Sequence, residues 1–441
     1  MAEYGLSSAF YYILIALIFF IPVSLVSAEL STGWPKKGGI YLWVKEAFGQ
    51  KWGFLAIWLQ WIETIIWFPT VLAFAGATLA FIINPALATN PLFLVGCILT
   101  IFWGATLLNF RGVKTSGTIT SIGSILGTII PAMLIIILGA HWLFSGHPTE
   151  VELNWNNFFP DITNLGTIVL AASVLLAYSG MELSAVHARE VKNPQKDFPI
   201  AIGISVILIL AIFILGTLAI SIVIPKSEIS LVAGIMDAFS QFFHKYNLDW
   251  MVPVIAVSMI IGVIAQISAW IIGPAKGLLE TAKEGTLPKF FQKTNKAGVA
   301  TNVLYIQAGV VSIISLVFII MPNVSSSYWI LTALTTQLYL IMYFILFLTA
   351  IKLRYSKADV VRTYKIPGGN FGMWIVAGTG AVASFAGIAL GFVPPSQFQS
   401  GNLFFFEGFL IFGILSVVGS AFIIHLRTKL KQSLLKLFKK S

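Results

Sequence analysis

The sequence predicts an all-α polytopic membrane protein, and three observations carry that prediction. Of 441 residues, 58% are hydrophobic and only 10% charged, a balance outside the range of soluble domains. Eleven apolar stretches are each long enough to cross a bilayer, which takes roughly 20 residues. The loops between them alternate between strongly basic and nearly free of Lys and Arg. No stretch between the spans is large enough for a separate soluble domain.

The spans lie near 8–30, 54–83, 91–110, 117–145, 165–186, 199–224, 250–273, 302–321, 328–351, 372–393 and 403–426. The first ends on Glu29, beside a basic loop, where an ion pair is expected. The second carries Glu63 between Trp58 and Pro69. The third holds Cys97, the one cysteine, so no disulfide forms within the chain. The fifth is interrupted by Ser179-Gly180-Met181-Glu182. A membrane helix gives up backbone hydrogen bonds only where the freed groups line a cavity or meet protein. A carboxylate at that depth points to function, and secondary transporters build substrate sites from such broken helices. HExxH, paired CxxC, P-loop and GxSxG motifs do not occur, which leaves an enzyme without a catalytic set.

The net charge of +10 is a topology signal. With alternate loops on opposite sides, Lys226 and Lys245 fall on one side and the other twenty-five of the 27 Lys and Arg on the other. The sparse side carries the Glu150–Asp161 and Pro394–Asn402 loops instead. The basic side reads as cytoplasmic, which excludes a nucleic-acid partner as the reason for the charge. The C-terminus then lies inside. The tail 427–441 carries Leu430, Leu434, Leu437 and Phe438 at helical spacing, as in a helix lying on the inner leaflet; a frayed basic tail is the alternative.

Two amphipathic segments suggest internal symmetry. One carries Ile40, Val44, Ala47 and Phe48; the other carries Val232, Ile235, Met236, Phe239 and Phe243. They fall on opposite sides of the membrane and divide the chain into 8–145 and 165–351, an inverted repeat, followed by two helices over 372–426. The transmembrane domain is thus 1–426. The first repeat has four spans and the second five; the counterpart of the broken helix should precede Ser8. The first 35 residues hold no Lys or Arg, so no signal peptide explains an outside Met1, and an in-frame extension is expected.

The run Leu176-Ala-Tyr-Ser-Gly-Met-Glu-Leu-Ser-Ala-Val-His-Ala-Arg-Glu-Val-Lys-Asn-Pro-Gln-Lys-Asp-Phe-Pro199 resembles the sixth helix and exit loop of the amino acid–polyamine–organocation superfamily. Phe20-Ile-Pro-Val, Ala28-Glu-Leu, Gly38 to Gly49, Ala269 to Gly277, Glu284-Gly-Thr-Leu-Pro288 and Tyr364 to Gly369 agree, and within the superfamily the chain is most similar to the glutamate/GABA antiporters. The resemblance covers Ala2 to about residue 426. It implies a LeuT-type 5+5 inverted repeat in which the eleven spans are family helices 2 to 12. It also implies amino-acid transport by a protein of the bacterial inner membrane, with no cofactor. Two departures stand out. The family's glutamate exchanger has a carboxylate where Gln266 stands on the eighth helix, and its folded C-terminal plug is replaced by a short basic tail.

The candidate site residues follow. Ser179 and Gly180 mark the break, whose second half-helix would turn its positive end on a bound anion; close helix packing is the alternative for Gly180. Glu182 is a candidate for proton coupling or gating, or a structural carboxylate on freed amides. Tyr178 could close over a substrate or pack. Tyr339 and Tyr343, at i, i+4, share a face that borders the substrate in the family. Gln266 and Trp270 repeat that spacing on the eighth helix, where the amide could bond a substrate or bridge helices. Glu63 is a second proton-coupling or gating candidate, or a paired structural acid. His187 and Arg189 stand at the exit of the broken helix, as a gate or as a solvated helix end.

These readings converge on a secondary amino-acid transporter, an antiporter of the glutamate/GABA kind, working by alternating access. Its partners would be small amino acids, the lipid bilayer, protons as a coupling ion and, as an assembly, a homodimer. The rival reading is a truncated, non-transporting paralogue that senses ligand or is inactive. An intramembrane enzyme lacks a nucleophile–base pair, and a channel lacks a ring of like charges.

Overall fold

The computed structural model describes residues 1–35, 38–152, 154–160, 168–169, 172–183, 193–393 and 403–438, without the side chains of 113–116, 194, 429 and 431–438. Ten helices are long and apolar enough to span: α1 (Ser7–Gly33), α3 (Gln50–Ile83), α4 (Pro91–Asn109), α5 (Gly117–Phe144), α7 (Gln195–Ser221), α9 (Met251–Lys283), α10 (Thr301–Ile320), α11 (Val324–Ser356), α12 (Gly369–Leu390) and α13 (Leu403–Thr428). Short helices α2 (Ile40–Phe48) and α8 (Gly234–Lys245) occupy the two amphipathic segments. The expected span 165–186 falls partly outside the described residues. Its described core is α6 (Ala172–Ala177), followed by the break. His187 and Arg189 lie outside the described residues. Among the described residues the only β pairing is an isolated bridge, Thr294–Ala300.

The protein is a multi-pass membrane protein whose spans sort by burial. In its most apolar stretch α11 is 89% buried, whereas α7 is 6% and α13 11% buried, so α11 is the axis and the other two face lipid. Proline explains two irregularities. Pro22 and Pro131 lack an N–H, so each leaves a carbonyl one turn earlier without its helical partner. A π-turn precedes each, at Ala16–Phe20 and Ile125–Ile129, and takes up the mismatch.

The second π-turn sits on a crossing where two helix backbones touch. A Cβ on Gly127 would meet the Gly262 amide nitrogen at 2.1 Å, and one on Gly262 would meet the Gly127 carbonyl at 2.5 Å. Backbones in direct contact need small residues, the usual device of membrane helices. Ser258 Oγ donates to the Leu126 carbonyl and Thr120 Oγ1 to that of Ala265 at 3.2 Å.

At the end bearing the basic loops, α2 lies across the base of the bundle with Ile40, Tyr41, Trp43 and Val44 buried. Its polar edge meets the end of α9. Tyr41 Oη and Lys45 Nζ donate to Glu284 Oε2 at 2.5 and 2.6 Å. Burial alone would push the Glu284 carboxyl up; the Lys45 and Tyr41 bonds and the Lys45 charge outweigh it and hold it below its ordinary value.

The same end holds a buried ionic clasp, including the ion pair expected of Glu29. Arg354 Nη1 donates to Glu29 Oε1 at 2.6 Å, the Ile366 amide to Oε2 at 2.8 Å, and Arg362 Nε lies 3.4 Å from Oε1. Two cations face one anion, and carbonyls supply the balance. Arg354 Nη2 bonds those of Ile366 and Gly369, both at 2.9 Å. Arg362 Nη2 bonds those of Leu353 and Lys357 at the negative end of α11, at 2.9 and 3.0 Å. Fully bonded, such a cluster is tolerated in an apolar interior; with one partner missing it is not.

Candidate functional site

The chain leaves helical geometry after Ala177. Ser179 Oγ folds back on the Leu175 carbonyl at 2.8 Å, and Gly180 adopts φ +107°, where a side chain is strained. Space is tight as well: a Cβ there would meet the Trp270 ring at 3.0 and 3.1 Å, so the indole would have to give way. The freed Gly180 amide donates to Tyr343 Oη at 2.6 Å. Helical bonding resumes as Leu183 N reaches the Gly180 carbonyl at 3.1 Å.

Glu182 is the hub. Its Oε1 accepts from Gln60 Nε2 at 2.8 Å and from Tyr339 Oη at 2.7 Å, and its Oε2 accepts from Tyr343 Oη. The two tyrosine rings stack with centroids 4.8 Å apart, and Phe19 meets Tyr343 edge-on at 5.2 Å. One carboxylate thus ties the break to α3 and α11. Three donors on two oxygens are what an ionised carboxylate can fill.

Beside this hub is a cavity of about 460 Å³, within the usual range for small-molecule sites of about 300–1,000 Å³. Its walls come from α3, the break, α9 and α11. Glu63, Ser179, Gln266, Trp270 and Tyr339 line it, with Trp67, Tyr328, Trp329, Thr332 and Met1. Glu63 is 2% exposed, and the bond it accepts is from its neighbour Thr64 at 2.7 Å. Gln266 is exposed to the cavity and bonds to no other described residue. Trp67 and Trp270 meet across it with centroids 5.6 Å apart.

Of the eleven candidate residues singled out from the sequence, nine are described, and five of these line the cavity. Gly180, Glu182 and Tyr343 form the layer behind it. Tyr178 points elsewhere: its ring stacks between Phe20 and Phe213, centroids 4.9 and 5.5 Å away, and its hydroxyl donates to the Tyr12 carbonyl at 3.1 Å.

A family model described as amino acid permease matches residues 1–416. The chain belongs to the amino acid permease family. This permease is 47% identical over 417 residues to an uncharacterised transporter of Legionella pneumophila, covering 95% of this chain and 90% of the relative. A glutamate/gamma-aminobutyrate antiporter of Lactococcus lactis is 33% identical over 422 residues, covering 94% and 84%. A protein of the same species named "probable agmatine/putrescine antiporter" is 25% identical over 373 residues, covering 84% and 78%. These relatives are transporters, not enzymes.

Sequence reasoning passed over several residues of the hub and cavity. Gln60 and Trp67 flank Glu63 at i−3 and i+4, on one face of α3. That spacing was a usable signal. Tyr328 and Thr332 extend the Tyr339/Tyr343 face by further turns. Trp329 lines the cavity with an indole N–H that has no partner among the described residues; nothing in its local sequence marks it.

Proposed function

We propose that the permease is a secondary amino-acid exchanger of the bacterial inner membrane, with its C-terminus inside, working by alternating access around the cavity. The observation that carries this reading is the placement of the cavity against an interrupted helix, with walls from both halves of the chain. The two amphipathic helices, at matching places in those halves, support an inverted repeat. Substrate would lie between α3, α9 and α11 against Ser179 and Gly180, with Tyr343 and Glu182 holding the break in shape. Glu182 bonds to three neighbours on two other helices, so a change in its charge would loosen break, α3 and α11 together; that is the proposed coupling step. The relatives' names give the substrate range to test, amino acids and the amines derived from them. A homodimer is compatible with the lipid-facing α13.

The test is counterflow of labelled amino acids and amines in proteoliposomes across a pH series. Wild type should exchange at least one of them, and Glu182→Gln should slow exchange or flatten its pH dependence. Absence of any exchange by wild type would favour the non-transporting reading.

A further inference from the structure

Glu63 and Glu182 are both buried carboxylates, 2% and 3% exposed, yet their surroundings differ. Glu182 accepts bonds from three side chains on α3 and α11. Glu63 accepts one, from Thr64, and lines the cavity. Among the described residues, the side chains lining the cavity include no Lys, Arg or His. A carboxylate in an apolar interior requires a proton or a cation. The walls around it suit a cation. Trp67, one turn along α3 on the same face, packs on Trp270, and Tyr328, Trp329 and Tyr339 complete an aromatic lining whose π faces attract positive charge.

The helix register gives this site a length. α3 and α9 run antiparallel: Ile57 meets Gly277 near the basic end and Trp67 meets Trp270 further in. Glu63 therefore lies one turn to the basic side of the indole pair, and Gln266 one turn to the other side. Four residues each way place them about 12 Å apart along the axis. Two hydrogen bonds of about 2.9 Å leave roughly 6 Å, the span of an aliphatic chain of four or five bonds.

We infer that Glu63 is the counter-ion for a substrate ammonium, and that the cavity takes a flexible amine with a second polar group four or five bonds away. A diamine or an ω-amino acid fits; a dicarboxylate does not. Gln266 meets the far end, its amide able to donate to a carboxylate or accept from an amine. A second carboxylate on the substrate would find no cationic side chain among the described residues of the lining, and would add like charge near Glu63. The inference rests on the cavity being the substrate site.

Binding to the purified full-length protein tests it without requiring transport. Tryptophan fluorescence and thermal shift are read at neutral pH with putrescine, GABA, glutamate and leucine. Putrescine and GABA should bind at least tenfold more tightly than glutamate. Glu63→Gln should weaken putrescine at least tenfold, and Gln266→Glu should tighten putrescine while weakening GABA. The Gln266 variant keeps the test open if Glu63→Gln fails to fold. Glutamate binding as tightly as putrescine, binding of none of the four, or either variant binding putrescine with wild-type affinity would overturn the inference. Counterflow separates it from the transport reading. A protein that binds putrescine but exchanges nothing removes transport and leaves the Glu63 site. One that exchanges glutamate in preference leaves transport and removes the Glu63 site.

Discussion

Tyr343→Phe isolates what holds the helix break. The ring stays, and with it the stack on Tyr339 and the edge contact with Phe19, so the packing loss is small. The hydroxyl goes, and it had two bonds: one accepted from the Gly180 amide at 2.6 Å and one donated to Glu182. An orphaned buried amide costs about 1–3 kcal/mol, and a bond to a charged group is worth about 1.5–3 kcal/mol. Allowing the break to relax, the net loss should be about 3 kcal/mol, roughly a hundredfold shift in the population of the formed break. Because a ligand binds the formed site, the apparent affinity should fall with the fraction of molecules that keep the break formed, by up to that factor. The assay is putrescine and GABA binding by tryptophan fluorescence, alongside the melting temperature in detergent. The expected result is a weakening of tenfold or more with a protein that still elutes as a folded species. Wild-type affinity together with a wild-type melting temperature would refute the role given to this hydroxyl.

Further outcomes follow from other contacts. Gly180→Ala should weaken ligand binding at least tenfold, because a Cβ there meets both a strained φ of +107° and the Trp270 ring at 3.0 Å; binding titration checks it, and a near-normal affinity would contradict the fit. Gly262→Ala should lower the melting temperature sharply or prevent accumulation in the membrane, since the crossing leaves no room for a methyl; overpacking of this kind costs about 1–3 kcal/mol or more. The Glu284 carboxyl is held below its ordinary value, so its bonds to α2 are present at neutral pH and are lost as pH falls through that depressed value. Protection of residues 40–48 from hydrogen exchange, taken relative to the intrinsic rate at each pH, should therefore fall on acidification, by a modest factor at this part-exposed pair, and Glu284→Gln should remove that loss of protection. A cysteine at Asn156 should react with an impermeant reagent outside intact cells while one at Ser433 does not; the reverse pattern would invert the topology.

Ten of the eleven spans, the amphipathic helices and the break were legible because each is written in local chemistry. Apolar length, 3.6-residue spacing, and a Ser-Gly pair followed by a carboxylate need no distant partner to be recognised. The Glu29 ion pair was legible from a carboxylate at a helix end beside basic residues, although its main partner, Arg354, is 325 residues away. What the sequence hid is assembly across distance. Gln60 reaches Glu182 over 122 residues, and only the folding of α3 against the break makes it part of the hub. Tyr178 is adjacent to the break, yet its direction is set by Phe20 and Phe213 on α1 and α7, which no local pattern reveals. The contrast between Glu63 and Glu182 is of the same kind: two mid-span acids look alike as letters and differ in how many donors the fold brings them.

The buried clasp has a consequence for how the bundle can rock. Glu29 ends α1, Arg354 ends α11, and Arg362 and Ile366 belong to the strap leading into α12. Pulling any one away would strand a charge in an apolar interior, at a cost of several kcal/mol. At the basic end these three pieces must therefore travel as one body. Motion that opens the cavity toward that end must be taken up elsewhere, at joints that shear without parting ions. The backbone crossing of Gly127 with Gly262, held by hydrogen bonds but by no ion pair and beside a helical turn already one residue out of step, would be such a joint. If the permease works by the alternating access proposed above, the clasp would belong to its riveted part and the glycine crossing to its sliding part.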